Sequence, residues 1–346
     1  MKDPDHTTRP TVRWAIWAAG ILVIGASLAV YAARTRLVAI PLCVAEAVPE
    51  QARLVGDTWV WLERTNGATK VVSVRSGRRV VLAAHEDVVS LEASPESVAW
   101  IGKAGDAWEI RTARIDGSNA STAASMKERP LAVWTDGSRL AWVVEIPSPA
   151  TAANFLPPLG PQTQIWLAAG GAAHPIAEVA EGFVSAQLRG MLNGTLYLAG
   201  VRNEGIRSTV LYAVSPAMPP RRFAAEIGAR STLMTADGRI YWTAPSRGSN
   251  SLLTGCVRSA EPGKLEPTTV ADWLPAGGRL AETARGVVVT GAGTETAWLV
   301  SPQKRLGVPL PMLPDQWPVA AGGHVLLTVH RAKTPGRVVV STVGMR

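Results

Sequence analysis

The residues able to do chemistry are few and scattered. The five histidines, His6, His85, His174, His324 and His330, form no HxxxH or HExxH pair and no Cys–His pair. A dedicated metal centre needs several such ligands converging on one point, so this pattern argues against one. The sequence has no GxSxG elbow, no Walker A loop and no CxxCH haem attachment. GAGTET (291–296) is followed by no helical pattern and reads as a hairpin loop. Cys43 and Cys256 are too few for a four-cysteine zinc site or an iron–sulfur cluster, and read as unpaired small hydrophobic residues. Four polar residues, Glu92, Gln187, Arg189 and Glu282, gain interest from the repeat described below, which brings their segments to one axis. No cofactor is expected.

The 346 residues carry 47% hydrophobic and 18% charged side chains, enough apolar material for a large core. The net charge of +8 comes without a dense basic run, so nucleic acid is not an expected partner. Phe and Tyr number 3 and 4 against 13 Trp, so one aromatic type has been used selectively.

Residues 14–33, WAIWAAGILVIGASLAVYAA, are twenty in a row without a charge. As a helix they span about 30 Å, the thickness of a hydrocarbon core. Trp14, Trp17 and Tyr31 lie near the ends, where amphipathic rings favour the interface. The run is longer than a signal-peptide core, and a cleaved signal is the alternative reading. Lys2, Arg9 and Arg13 precede it, and Arg34 and Arg36 follow. This bias places residues 1–13 in the cytoplasm and exports the rest, 34–346.

Beyond the apolar run the chain repeats. Short apolar segments recur as TWVWLE (58–63), SVAWIG (97–102), RLAWVV (139–144), TLYLAG (195–200), RIYWTA (239–244), GVVVTG (286–291) and HVLLTV (324–329). Their matching positions are Trp61, Trp100, Trp142, Leu198, Trp242, Val289 and Leu327, spaced 39, 42, 56, 44, 47 and 38 residues apart. A strand-rich period of this length predicts an all-β seven-bladed β-propeller, with six blades as the alternative. Each recurring segment is the second strand of a four-stranded blade, and the repeated Trp fills the space between blades. Asp136-Gly137, Asn193-Gly194 and Asp237-Gly238 read as hairpin turns between first and second strands. The last unit lacks a fourth strand. RLVAIPL (36–42) has no other partner, and pairing it beside 337–343 closes the ring and covers an open edge.

TDGSRLAW (135–142) resembles the repeat of TolB-like propellers, in which an Asp-Gly turn precedes a strand. DGRIYWTA (237–244) resembles the YWTD repeat of low-density-lipoprotein-receptor-type proteins, with Ala244 standing where that repeat has Asp. The resemblance covers residues from about 50 to 346 and implies the fold without carrying a function across. On first strands, Glu92, Gln187, Arg189 and Glu282 would face the central channel. Propeller lactonases hold a metal with channel carboxylates and amides; here solvated lining is the preferred reading.

The insertion IPSPATAANFLPPLGPQTQ (146–164) carries five Pro and the apolar pair Phe155-Leu156, and is too long for a structural turn. It reads either as a Pro-stiffened loop on its own blade or as a partner-binding element. Trp273 and Trp317 precede first strands and are the candidates for glycan stacking. If 36–42 is a fourth strand, it starts on the face carrying the first-to-second and third-to-fourth turns, which puts that face against the bilayer. Arg221, Arg222, Lys304 and Arg305 would then face anionic headgroups. The favoured function is a membrane-anchored scaffold or assembly subunit of a cell-envelope complex that binds another protein. The alternatives are a small-ligand binder or enzyme using the channel, and a cell-wall glycan sensor. No catalytic signature is legible, and oligomeric state is not.

Overall fold

The structure, a computed structural model, describes residues 37–146, 161–202, 208–227, 231–246, 254–275, 278–290, 296–301, 305–313 and 315–345. The segment 14–33 lies outside them, and among the described residues no helix is long and apolar enough to cross a membrane.

Among the described residues, twenty-eight strands form seven four-stranded antiparallel blades. Blade one is β2 (Glu50–Val55), β3 (Thr58–Thr65), β4 (Ala68–Arg75) and β5 (Arg78–His85). Blade two is β6 (Val88–Ala93), β7 (Ser97–Ala104), β8 (Ala107–Arg114) and β9 (Ser121–Met126). Blade three comprises β10 (Pro130–Thr135), β11 (Arg139–Ile146), β12 (Gln162–Ala169) and β13 (Ala172–Val179). Blade four comprises β14 (Ser185–Leu192), β15 (Thr195–Arg202), β16 (Ser208–Ser215) and β17 (Met218–Ile227). Blade five follows with β18 (Leu233–Ala236), β19 (Arg239–Pro245), β20 (Thr254–Ala260) and β21 (Thr268–Pro275), and blade six with β22 (Arg279–Thr283), β23 (Gly286–Thr290), β24 (Ala297–Ser301) and β25 (Leu306–Pro309). Parallel pairing of Asp272 with Leu306 joins these two blades at their outer strands.

Blade seven takes three strands from the C-terminus, β26 (Trp317–Gly322), β27 (Val325–Arg331) and β28 (Val338–Gly344), and its fourth from the N-terminal side, β1 (Ala39–Ala45). The closing strand sits three residues further on than 36–42. Ala39 already pairs with Val343, one residue short of the end of β28, so residues before 39 would run past their partner.

The hydrophobic core is divided among the seams. Seven buried clusters each draw on two neighbouring blades, and together they cover all seven seams. This explains the apolar second strands. β3, β7 and β11 are pressed between blades on both sides and are buried over most of their length, whereas outer strands such as β9 are largely exposed. Trp61, Trp100 and Trp242 are fully buried at equivalent seams, and each indole N–H finds an acceptor. Trp61 donates to Glu63 (2.9 Å), Trp100 to Nε2 of His85 on the outer strand of the preceding blade (2.9 Å), and Trp242 to Glu226 in the same relation (2.9 Å). Trp142 stacks on Trp166 at 6.0 Å instead.

Two of the three expected hairpin turns are tight two-residue turns with positive φ at both central residues: Asn193-Gly194 (51° and 76°) and Asp237-Gly238 (47° and 67°). Asp136-Gly137 differs. Only Gly137 is left-handed (100°), and Asp136 Oδ1 accepts from the backbone N–H groups of Ser138 (3.0 Å) and Arg139 (2.8 Å).

Candidate binding site in the central channel

The first strands β2, β6, β10, β14, β18, β22 and β26 line the channel. A side chain at one repeat position reaches repeatedly across to the next blade. Gln51 accepts from Leu91 N (2.9 Å) and donates to Val89 O (3.0 Å). Ser90 accepts from Val133 N (3.2 Å), Gln187 from Leu233 N (3.0 Å), and Thr232 donates to Gly278 O (2.9 Å). These bonds satisfy backbone groups that inner strands cannot pair on their channel side, and they fix the ring at its axis. Gln187 borders one cavity of the channel, and its amide is a latch between blades four and five.

The channel divides into two chambers. The lower one, about 780 Å³, opens among the first-to-second turns and includes Asp136, Asp237, Glu282, Thr283 and Gly323. The upper one, about 590 Å³, opens on the opposite face and includes Glu50, Arg64, Arg129, Gln187 and Ser231. Arg53, Arg189, Arg279 and Leu280 border both. At this waist the buried Glu92 receives Arg53 Nε on Oε1 (3.2 Å) and Arg189 Nη1 on Oε2. Blades one, two and four are thus tied across the axis. Arg189 also donates from Nε to Leu233 O (3.1 Å), and Arg53 from Nη1 to Ala52 O (3.1 Å).

Two cations share one anion here. Burial pushes the Glu92 carboxyl upward, but Arg189 and Arg53 outweigh it, and the group is held below the ordinary carboxylate range. Arg189 is pulled down to about 10 by burial, which Glu92 only partly offsets while Arg53 adds repulsion; it stays charged at neutral pH. Glu282 lies in the lower chamber, away from Glu92. Burial and then the nearby Asp237 raise its pKa. The two carboxylates singled out in the sequence therefore serve different chambers and do not converge, and among the described residues no cluster of three or more His, Cys, Asp and Glu could hold a metal.

Arg53 and Arg279 were not singled out from the sequence. Both sit on first strands, β2 and β22, and the rule that selected Glu92 and Arg189 would have found them. Arg64 pairs with Glu50 (3.0 Å) and Asp87 (2.7 Å) at the upper rim, and Arg129 lies over the Trp108 ring at 5.5 Å.

The remaining candidates separate. Phe155, Leu156 and Lys304 lie outside the described residues; the ends of the insertion, Ile146 and Gln162, pair with each other at the upper face. Trp273 does not precede a first strand but lies within the outer strand β21, 65% exposed and with φ +60°, because the first strand of blade six begins only at Arg279. Trp317 opens the first strand β26 and packs, half-buried, on the cluster between blades seven and one. Arg221 is exposed and reaches Lys264 O (3.5 Å) in a lower turn, and Arg305 is exposed in the lower turn before β25. Arg222 departs from the expected downward face. It lies halfway up β17 and approaches Glu181 (3.5 Å), in the upper connection between blades three and four.

The fold is similar to that of an oligogalacturonate lyase in complex with manganese, with a TM-score of 0.60 and 10% identity over 84% of this chain and 86% of that one. An acylaminoacyl peptidase from Pyrococcus horikoshii gives 0.58 and 11% over 87% of this chain, which spans 52% of that one. The β-propeller domain of the Trilobed protease from Pyrococcus furiosus gives 0.56 and 12% over 86% and 95%, and has an open velcro topology, whereas β1 closes the ring here. No protein-family model and no curated protein matches the chain in sequence. At such identities the likeness is one of fold, and a fold of this kind hosts unrelated functions. The chain is a seven-bladed β-propeller.

Proposed function

We propose that this propeller is a membrane-tethered binding platform that docks a protein partner on its upper face, as a scaffold or assembly subunit of a cell-envelope complex. The observation that carries this reading is the way its buried carboxylates are engaged. Glu63, fully buried, accepts from Trp61, Arg79 (2.9 Å) and the backbone N–H of Glu46 (3.3 Å), and so ties blade one to the chain leaving β1. Glu226 accepts from Trp242 and Arg258 (2.8 Å) at the seam of blades four and five. Glu92 ties three blades at the axis. Each acts as a structural tie, and the product is a stiff ring that presents loops on two faces. The tether is the apolar run 14–33, and the TolB-like character of the repeat belongs to the same reading. Tandem blades with short lower turns and one long upper insertion favour docking from above, through Phe155 and Leu156.

The test is purification of the full chain from detergent-solubilised membranes beside a Phe155→Ser/Leu156→Ser variant. A partner that co-purifies at fixed stoichiometry and is lost in the variant, at unchanged melting temperature, supports the reading. A variant that retains the partner, or loses it only together with a large fall in melting temperature, refutes the role of the insertion. A full chain that partitions into the soluble fraction refutes the tether.

A further inference from the structure

We propose that the lower corner of the ring where β1 enters, formed by Val38, Ile40 and Arg78, is a second membrane contact that seats in the headgroup layer of an anionic bilayer and fixes the tilt of the propeller. This rests on the proposed tether and deepens it: a tether alone holds the ring near the bilayer, whereas this contact orients it.

The first observation is where uncovered aliphatic side chains collect. Of the large hydrophobic residues exposed among the described residues, Val38, Ile40, Val44 and Val48 all fall within 38–48. Val38 (66%) and Ile40 (62%) are the most exposed of these four and stand at the lower end of β1. Single surface hydrophobics are ordinary, but a local group of them marks a surface that another body covers. The second observation is the place of this group in the chain. Residues 14–33 carry no charge, and only residues 34–37, with Arg34 and Arg36 among them, lie between that run and Val38. The fully extended link reaches about 18 Å at most, so the start of β1 is confined to the neighbourhood of the headgroup layer. Exposed aliphatic side chains held there gain from entering the boundary between headgroups and acyl chains.

The third observation comes from the neighbouring blade. The lower turn between β4 and β5 lies against β1, since a Cβ on Gly77 would be 3.5 Å from the Leu42 carbonyl oxygen. Arg78 follows, exposed, and among the described residues no acid pairs with it, whereas Arg75 across the same turn is held by Asp57 (2.9 Å). A cation with no protein counter-ion, beside two uncovered aliphatic side chains, matches an anionic headgroup above an acyl chain. The ladder argues against a strand as the occupant. β1 pairs with β28 and leaves its other edge open, but Pro41 has no N–H to offer and a bulge between Pro41 and Cys43 breaks the register. A lipid surface needs no ladder.

The experiment attaches a fluorophore to Ser76→Cys, in the exposed lower turn beside Arg78, or to Val184→Cys, 54% exposed on the upper face, in full chains that also carry Cys43→Ala and Cys256→Ala. Each chain is reconstituted into phosphatidylcholine vesicles with or without phosphatidylglycerol, and quenching by headgroup-spin-labelled lipid is measured. The proposal expects Ser76→Cys to be quenched about threefold or more over Val184→Cys on vesicles with phosphatidylglycerol. That excess should fall by about half or more without phosphatidylglycerol, at high salt, in Arg78→Ser and in Val38→Ser/Ile40→Ser. The three substituted side chains are exposed, so these variants keep the fold. Chains that float with the vesicles but are quenched equally at the two positions, or whose excess is unchanged in the variants, overturn the contact and leave the tether standing. Chains that fail to float refute the tether and the contact with it. Ser76→Cys probes quenched by one another as protein density rises, and not by lipid, assign the corner to a second copy and overturn the proposal.

Discussion

Replacing Glu92 with Gln keeps its shape and removes its charge, and the structure sets the consequence. Each carboxylate oxygen receives one guanidinium, and the Glu92 side chain is 11% exposed against 19% for Arg189. In the variant the amide N–H₂ must face Arg53 or Arg189, donor against donor, and two like charges occupy the waist with no anion between them. Removing one partner of a buried ion pair costs about 3–5 kcal/mol. Both chambers reach the waist, so water can relax part of that, and a value near the lower end, about 3 kcal/mol, is expected. At about 2 °C per kcal/mol for a domain of this size, the melting temperature should fall by roughly 6 °C. Arg189→Gln added to the variant removes the repulsion, so the double variant should be more stable than Glu92→Gln alone. The sign with pH follows from the lowered carboxyl. Its stabilisation is present above about pH 4.3 and is lost as pH falls through the folded value, and Glu92→Gln should lack that loss. Urea and thermal unfolding followed by circular dichroism measure all three. A loss below about 1 kcal/mol, or a double variant no more stable than the single one, would refute the view of Glu92 as the tie across the channel.

Further outcomes test the seams. Gly102→Ala should cost about 1–3 kcal/mol, because a Cβ there would lie 2.7 Å from the His85 ring and displace the acceptor of Trp100; chemical unfolding reads the loss, and a neutral result refutes the close packing. His85 accepts from Trp100, and burial, then the charge of Arg111, lowers its pKa. Stability should therefore be flat above about pH 6.5 and fall as pH drops through the folded value, a fall that His85→Gln should flatten in thermal scans. Removing residues 1–45 deletes β1, takes Ala45 and Leu42 from the seam cluster and exposes the edge of β28, at a cost of about 3 kcal/mol or more; removing 1–33 should leave the melting temperature unchanged.

The fold was legible because propeller physics repeats in the chain. A second strand squeezed between two blades must be apolar along its whole length, and seven such segments announce seven blades. The missing last strand announced the closure, although its register depends on where β28 ends, which composition does not mark. At the axis the reading was half complete. Glu92 and Arg189 were chosen as charges on first strands, but their contact joins blades two and four across 97 residues and becomes visible only when the ring closes. Arg53 and Arg279 carry the same signal on two other first strands. Trp273 was misplaced because β21 runs on to Pro275 through a residue with positive φ, a backbone feature that a bulky side chain normally opposes. Arg222 shows the limit of reading faces from turns: its strand position is mid-blade, and its length carries the charge to Glu181.

The way the chain enters the ring bears on how its two faces can be used. β1 begins beside Val343, at the end of blade seven where β26 turns into β27, so residue 39 lies on the lower face with the acidic chamber. Val38 and Ile40, 66% and 62% exposed, stand on the open edge there as aliphatic side chains that the described residues leave uncovered. Four residues, 34–37, separate Val38 from the apolar run ending at Ala33, a reach of at most about 18 Å over the five steps. Under the proposed tether, the lower face is therefore held close to the headgroups, and its chamber mouth is partly shielded by the membrane. The upper chamber then faces away from the bilayer, together with the ends of the insertion at Ile146 and Gln162. A protein partner would approach from that side.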